Sequence, residues 1–257
     1  MEEELKKKKV AVIITGHLRT FKMHFKHFQK NLLDLYDCDL YLSTWDWNHV
    51  GPMAGAILQR VPAETIHKQF TIYPNVKQII ISSYAQINNR SETYIKNYGE
   101  FGICEDDNYK KYIGGTVNRK TMPYNAGQWF PVQEAFRAIE NPEQYDVIFR
   151  TRFDIDHWKP INFLPNELVA VGPGAKRLHD GTKESSIYNI KNHLFYGKPG
   201  IIEFMKDIYE RNLELHCKFS NLATNSLLEY YFRNNSKNYP LTIDNNLVEG
   251  THYGVWK

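Results

Sequence analysis

Asp154 and Asp156 stand two residues apart at the end of "YDVIFRTRFDID" (Tyr145–Asp156), with Arg150 and Arg152 just ahead of them. Side chains at i and i+2 of an extended chain leave the same face, so the spacing predicts two carboxylates offered to one site. Two adjacent carboxylates repel unless a cation lies between them or one takes up a proton. Oxygen-only ligands favour Mg²⁺ or Mn²⁺, ions that commonly complete their coordination with substrate phosphates. A divalent ion on a diphosphate neutralises the charge that develops as the phosphate leaves. Arg150 and Arg152 share the same alternating face, and guanidinium suits phosphate or carboxylate. They could therefore serve the substrate or the aspartates. A blander account of the same string is a strand-end turn whose charges pair with one another in solvent.

The elements that would position these groups read as follows. "KVAVIIT" (Lys9–Thr15) is short, apolar and β-branched, and it predicts a buried strand with Gly16 at its exit. Phe21, Phe25, Phe28 and Leu32 then mark one face of an amphipathic helix. "CDLYLST" (Cys38–Thr44) predicts a second strand, a helical patch is expected over Ala54–Val61 up to Pro62, and "VKQIIISS" (Val76–Ser83) predicts a third strand. This alternation points to a parallel α/β sheet. Such sheets bind ligands at the carboxyl ends of their strands, where Gly16–Thr20 and Trp45–Asp46 would lie. Residues 84–126 are polar and lack clear periodicity, which predicts a lid or an acceptor loop. Trp129, Val132, Phe136 and Ile139 mark a helix ended by Asn141-Pro142, and the Tyr145–Asp156 strand follows. Further strands are expected at Leu168–Gly172 and Asn192–Lys198, and helices over Ile201–Leu215 and Asn225–Phe232. With no repeat and no low-complexity linker, one domain over 1–257 is expected, preceded by a flexible basic tail at 1–8.

Composition narrows the class of function. A net charge of +3 over 257 residues is too small to argue for nucleic acid, though it suits a groove for a small anion. Cys38, Cys104 and Cys217 are odd in number and show no metal spacing, which fits free thiols in a reducing compartment. Cys38 lies in an apolar run and is expected in the core. No stretch approaches the roughly 18–20 apolar residues of a membrane helix, and the first 15 residues lack a signal-peptide pattern. A cytoplasmic protein is expected, with Lys6–Lys9 as a solvated tail or a contact to an anionic membrane surface.

Three motifs in order carry a resemblance. They are Gly16-His17-Leu18-Arg19-Thr20-Phe21, then Ser43-Thr44-Trp45-Asp46, then Arg150-Thr151-Arg152-Phe153-Asp154-Ile155-Asp156. Together the chain resembles nucleotide-sugar glycosyltransferases of the GT-A fold, in particular a group from polysaccharide-synthesis clusters and large DNA viruses. The resemblance covers about residues 9–235, with 84–126 unmatched. It implies an α/β, Rossmann-like fold with a mixed, mostly parallel sheet flanked by helices. It also implies a nucleoside-diphosphate-sugar donor (UDP-linked), a glycan or glycoconjugate acceptor, and Mn²⁺ or Mg²⁺. Thr15, Gly16 and Arg19 would hold the nucleotide, Asp46 the base or ribose, and Arg152 and Asp154 the diphosphate. Asp154 and Asp156 would hold the metal, with His252 of "EGTHYG" completing its shell.

The residues support these roles in part. Gly16 allows close approach of backbone to phosphate, and N–H groups at the next helix start bind anions. Asp46 could equally be an N-cap before the next helix. For the base that takes the acceptor's proton, His193, Glu229 and Asp180 are candidates, against a strand-start, helix-surface and turn role respectively. Two rival functions stay open. A HAD-type phosphohydrolase also uses a DxD at a strand end, but near its first strand. A non-catalytic nucleotide or carbohydrate-binding protein would use Trp45, Trp47, Trp129 and Trp158 to stack on sugar faces.

Overall fold

Every residue from Val10 to Thr15 is buried, because the apolar run of the first strand is covered on both faces. The computed structural model describes residues 7–18, 21–50, 57–98, 126–157, 159–164, 168–171, 176–177, 183–184, 194–218, 231–232, 241–244 and 251–253. In chain order these hold β1 (Lys9–Gly16), α1 (Phe21–Phe28), β2 (Asp37–Trp45), β3 (Trp47–Val50), β4 (Ile57–Arg60), α2 (Ala63–Phe70), β5 (Val76–Ser82) and α3 (Tyr84–Tyr98). Next come α4 (Phe130–Arg137), β6 (Val147–Arg152), β7 (Ile155–His157), β8 (Leu168–Val171), β9 (Lys176–Arg177) and β10 (Lys183–Glu184). β11 (Phe195–Gly197), α5 (Ile201–Met205), α6 (Ile208–Lys218), β12 (Leu241–Asp244) and β13 (Thr251–Tyr253) complete them.

Seven strands form one sheet in the order β12-β8-β11-β6-β1-β2-β5. All neighbours are parallel except β11, which runs antiparallel to both β6 and β8. The protein is therefore α/β, with a mixed, mostly parallel sheet flanked by helices. Strand alternation divides the core into two layers. Ala11, Ile13, Tyr41 and Ile148 join Trp129, Val132 and Phe136 of the α4 region, together with α5 and α6. Val10, Val12, Ile14, Leu40, Leu42 and Phe149 join Phe21 and Phe28 of α1 and Ile66 and Phe70 of α2. After β1 the chain builds outward through β2 and β5, then returns to β1's other side as β6. The carboxyl ends of β1 and β6 thus flank a topological switch point, the usual crevice of an open α/β sheet.

Several expected boundaries shift. The patch read as helical over Ala54–Val61 instead contains β4, which pairs antiparallel with β3. Pro62 precedes a helix rather than closing one: it is the N-cap residue of α2, and its carbonyl accepts from the N–H groups of Thr65 and Ile66. The Pro62 ring disfavours helical backbone at Val61, the residue between β4 and α2. The segment expected to be irregular over 84–126 begins with the 15-residue helix α3, and 99–125 lie outside the described residues. The helix expected over Ile201–Leu215 is two, α5 and α6, divided at Lys206–Asp207. The apolar face runs on across that break through Met205, Ile208 and Tyr209, so periodicity alone does not reveal it. Of the helix expected over Asn225–Phe232, only Tyr231 and Phe232 are described, and both are helical. Cys38 is buried as expected, and burial pushes its thiol up to about 12. No helix among the described residues is long and apolar enough to cross a membrane.

Candidate functional site

β1 ends at Gly16, whose φ of +108° is a backbone conformation that side chains disfavour. A Cβ there would meet nothing within 4 Å, so conformation, not space, calls for glycine. Its carbonyl accepts from Thr44 Oγ1 at 2.8 Å, which ties the carboxyl ends of β1 and β2 together. One residue earlier, Thr15 is fully buried. Its Oγ1 accepts from Arg150 Nε at 3.2 Å and from Nη2 at 2.9 Å across the β1–β6 pair. Thr15 therefore holds a cation in place.

Arg150 is only 4% exposed, and its guanidinium lies 5.9 Å from the Trp129 ring centroid and 5.5 Å from that of Phe195. Such ring faces attract a cation that has lost its water. Burial pulls its pKa down to about 9, Arg152's charge pulls it further and Asp154's opposes. It stays protonated at neutral pH. Arg152, two residues on, forks onto Asp154: Nε meets Oδ1 at 2.8 Å and Nη2 meets Oδ2 at 2.6 Å. This is the two-pronged geometry that guanidinium offers to carboxylate.

The alternation that would align Asp154 with Asp156 stops at Arg152. β6 ends there, Phe153 and Asp154 form a turn, and Ile155 begins β7. Phe153 anchors that turn by packing between Phe21 and Phe70, with ring centroids at 5.1 Å and 5.4 Å. Beyond it, Asp156 meets α1: His27 Nδ1 lies 2.8 Å from Oδ1 and His24 Nδ1 lies 3.4 Å from Oδ2. The neighbouring His157 is buried, with Nε2 at 2.9 Å from Thr151 Oγ1. Burial, aided by His24 and opposed by Asp156, pulls its pKa down to about 3, so it is neutral.

This arrangement bears on a divalent ion. Both oxygens of Asp154 face a guanidinium, both oxygens of Asp156 face imidazoles, and no cluster of three His, Cys, Asp or Glu among the described residues could hold a metal. As arranged, the described residues do not fit such an ion. His252 pairs with Asp156 in the register of β13 against β7, so the backbone brings it beside the motif. The forked Asp154 is also ill suited as the nucleophile a phosphohydrolase would need.

A cavity opens at the switch point, lined by Gly16, His17, Trp45, Tyr84, Arg150 and Arg152, with Asn88, Gly127 and Gln128. Its rings are close-packed: Trp45 and Tyr84 meet edge to face at 5.5 Å, and His17 lies 5.9 Å from Tyr84. His17 Nδ1 is 2.9 Å from the carbonyl oxygen of Trp47. Asp46 lies beside this cavity without lining it. Its Oδ1 accepts the N–H of Tyr84 at 2.8 Å, so it caps α3 across the sheet rather than a helix after β2.

Of the residues singled out in the sequence, the structure thus brings Gly16, Arg150 and Arg152 into the cavity, with Thr15 and Asp154 supporting the two arginines. Trp45 lines the cavity too, while Trp129 is core. Arg19, Asp180, His193, Glu229 and Trp158 lie outside the described residues. Sequence reasoning placed His17 in the Gly16–Thr20 stretch without a role of its own, and it missed Tyr84 and Asn88. The last two come from α3, and a signal was present: Tyr84, Ile87, Ser91, Tyr94 and Ile95 repeat at three- and four-residue steps.

No family model matches the chain, and no curated protein matches it in sequence. Among solved structures it is similar to mouse xyloside xylosyltransferase 1 in its apo form, at 10% identity and a TM-score of 0.41, over 92% of this chain and 84% of that one. It is also similar to the galactosyltransferase LgtC in complex with donor and acceptor sugar analogs, at 7% identity and a TM-score of 0.46, over 86% and 69%. A likeness at this level carries no argument about what this chain binds.

Proposed function

We propose that the protein is a GT-A-type glycosyltransferase that moves a sugar from a nucleoside-diphosphate sugar, UDP-linked, to a glycan or glycoconjugate hydroxyl. One observation carries this reading: the switch-point cavity combines two guanidiniums with a wall of aromatic rings. Guanidinium is the side chain best matched to phosphate oxygens. Ring faces suit a base or a sugar. Gly16 lets the donor approach the backbone at the end of β1. The order of the three motifs along the chain supports the same reading.

In the transfer, the bond between the sugar's anomeric carbon and the diphosphate oxygen breaks, and its electron pair stays on that oxygen. The acceptor oxygen bonds to the same carbon and gives its proton to a base, for which His193, Glu229 and Asp180 are the candidates. Arg150 and Arg152 would stabilise the charge that grows on the departing diphosphate, an electrostatic role already set by their fixed geometry. A divalent ion, if bound, would neutralise the same charge.

Thermal shift against a panel of nucleotide sugars tests the reading. A donor at about 100 times its Kd adds about 2.7 kcal/mol, which raises the melting temperature by roughly 5–10 °C. The donor that does so should then release nucleoside diphosphate when a glycan acceptor is supplied. If no nucleotide or nucleotide sugar shifts the melt, with or without Mn²⁺, the reading is wrong. Binding without transfer to any acceptor would favour a binding protein instead.

A further inference from the structure

We infer that the Arg150–Arg152 pair supplies the positive charge that holds the donor's diphosphate, with Asp154 fixing Arg152, and that binding needs no divalent ion between Asp154 and Asp156. This rests on the nucleotide-sugar reading above and departs from the metal that a DxD spacing suggests.

Three features carry it. The first is where the charges point. Arg150 and Arg152 are i and i+2 on β6, they share a face, and both line the cavity beside Gly127 and Gln128. Neither Asp154 nor Asp156 lines it. The second is what the carboxylates hold. A metal ligand must turn an oxygen toward the ion at about 2.0–2.1 Å. Asp154 is 6% exposed and spends both oxygens on one guanidinium, a charge-assisted fork that a metal would have to break. The third is the turn at Phe153–Asp154, which sends Asp156 to His24 and His27 of α1. α1 packs on one face of the sheet, while Arg150 lies against Trp129 on the other.

The arginines are also built to stay where they are. Thr15 Oγ1 takes two N–H groups of Arg150, and the ring centroids of Trp129 and Phe195 lie 5.9 Å and 5.5 Å from its guanidinium carbon. With Asp154 paired to Arg152, the three groups keep a net positive charge at the cavity wall, which favours an anion. The guanidiniums give a fixed positive charge and N–H donors to phosphate oxygens without recruiting an ion from solution.

Isothermal titration of UDP, GDP, CDP and ADP into the full chain tests this, run once in EDTA and once in Mn²⁺. At least one diphosphate should bind in EDTA with a Kd within about threefold of its Mn²⁺ value, a difference of about 0.7 kcal/mol. Arg152→Gln should weaken that binding about 10- to 100-fold, the range for losing hydrogen bonds to a charged group. Arg152→Lys should restore only part of it, because ammonium cannot fork. Binding that appears with Mn²⁺ and vanishes in EDTA would overturn the inference while leaving the transferase reading intact. So would an Arg152→Gln chain, folded by circular dichroism, that binds as wild type does. If no diphosphate binds under either condition, the nucleotide-sugar reading itself fails, and this inference with it. The EDTA arm uses the wild-type chain, so it does not depend on any variant folding.

Discussion

His216 offers a sharp test of the packing around α6. It is fully buried, and neither ring nitrogen has a hydrogen-bond partner among the described residues. Burial alone pulls its pKa down to about 4. In the unfolded chain an imidazole titrates near about 6.5. Between those values the unfolded state binds more protons than the folded one, so stability is lost as pH falls. The loss begins near pH 6.5 and levels off below about pH 4, where it totals roughly 3 kcal/mol. Between pH 7 and pH 5 it amounts to about 2 kcal/mol. His157, with its pKa near 3, has the same sign, so the wild-type pH dependence contains both. The variant His216→Leu isolates one of them, since leucine fills a similar volume and favours a helix. Urea unfolding of both chains at pH 7 and pH 5 gives four free energies. The wild type should lose about 2 kcal/mol more than His216→Leu over that interval. At pH 7 the variant should be as stable as the wild type or more so, because two unpartnered polar atoms leave the core. An equal loss in both chains would mean that His216 is not held neutral, and the packing assigned to α6 would be refuted.

Two further substitutions probe the elements that carry the site. Phe153→Ala empties the contact with Phe21 and Phe70 under the β6–β7 turn and should cost about 3–5 kcal/mol in chemical denaturation. Asp46→Ala removes the cap on the N–H of Tyr84 and should cost about 1 kcal/mol by the same measurement. A loss under about half that size would show that Tyr84's N–H finds another partner.

Much of the frame was legible because β-branched runs announce themselves. "KVAVIIT", "CDLYLST" and "VKQIIISS" appear as β1, β2 and β5 within a residue or two. Phe21, Phe28 and Leu32 are buried on one helical side, as their spacing implies. The errors share a cause. β4 is a four-residue strand whose extended state comes from pairing with β3, a partner that no local window contains. α3 is polar enough to look irregular, yet Ile87, Ser91 and Ile95 bury against α4's layer, with Ser91 Oγ 3.0 Å from the hydroxyl of Tyr209 on α6. Tertiary contacts stabilise such a helix more than intrinsic propensity does.

By itself the sequence determined that charged groups would crowd the end of a buried strand, next to Gly16 and Trp45 at the ends of two others. That much follows from local patterns, since a strand's period and its termination are properties of a few consecutive residues. Which group each charge faces was decided only by the folded chain. Thr15 and Arg150 meet across 135 positions, and Asp156 finds His27 across 129. The two-residue turn at Phe153–Asp154 then breaks the alternation on which a shared carboxylate site depends. Partners of this kind are set by how strands and helices pack in space, where sequence separation no longer orders them.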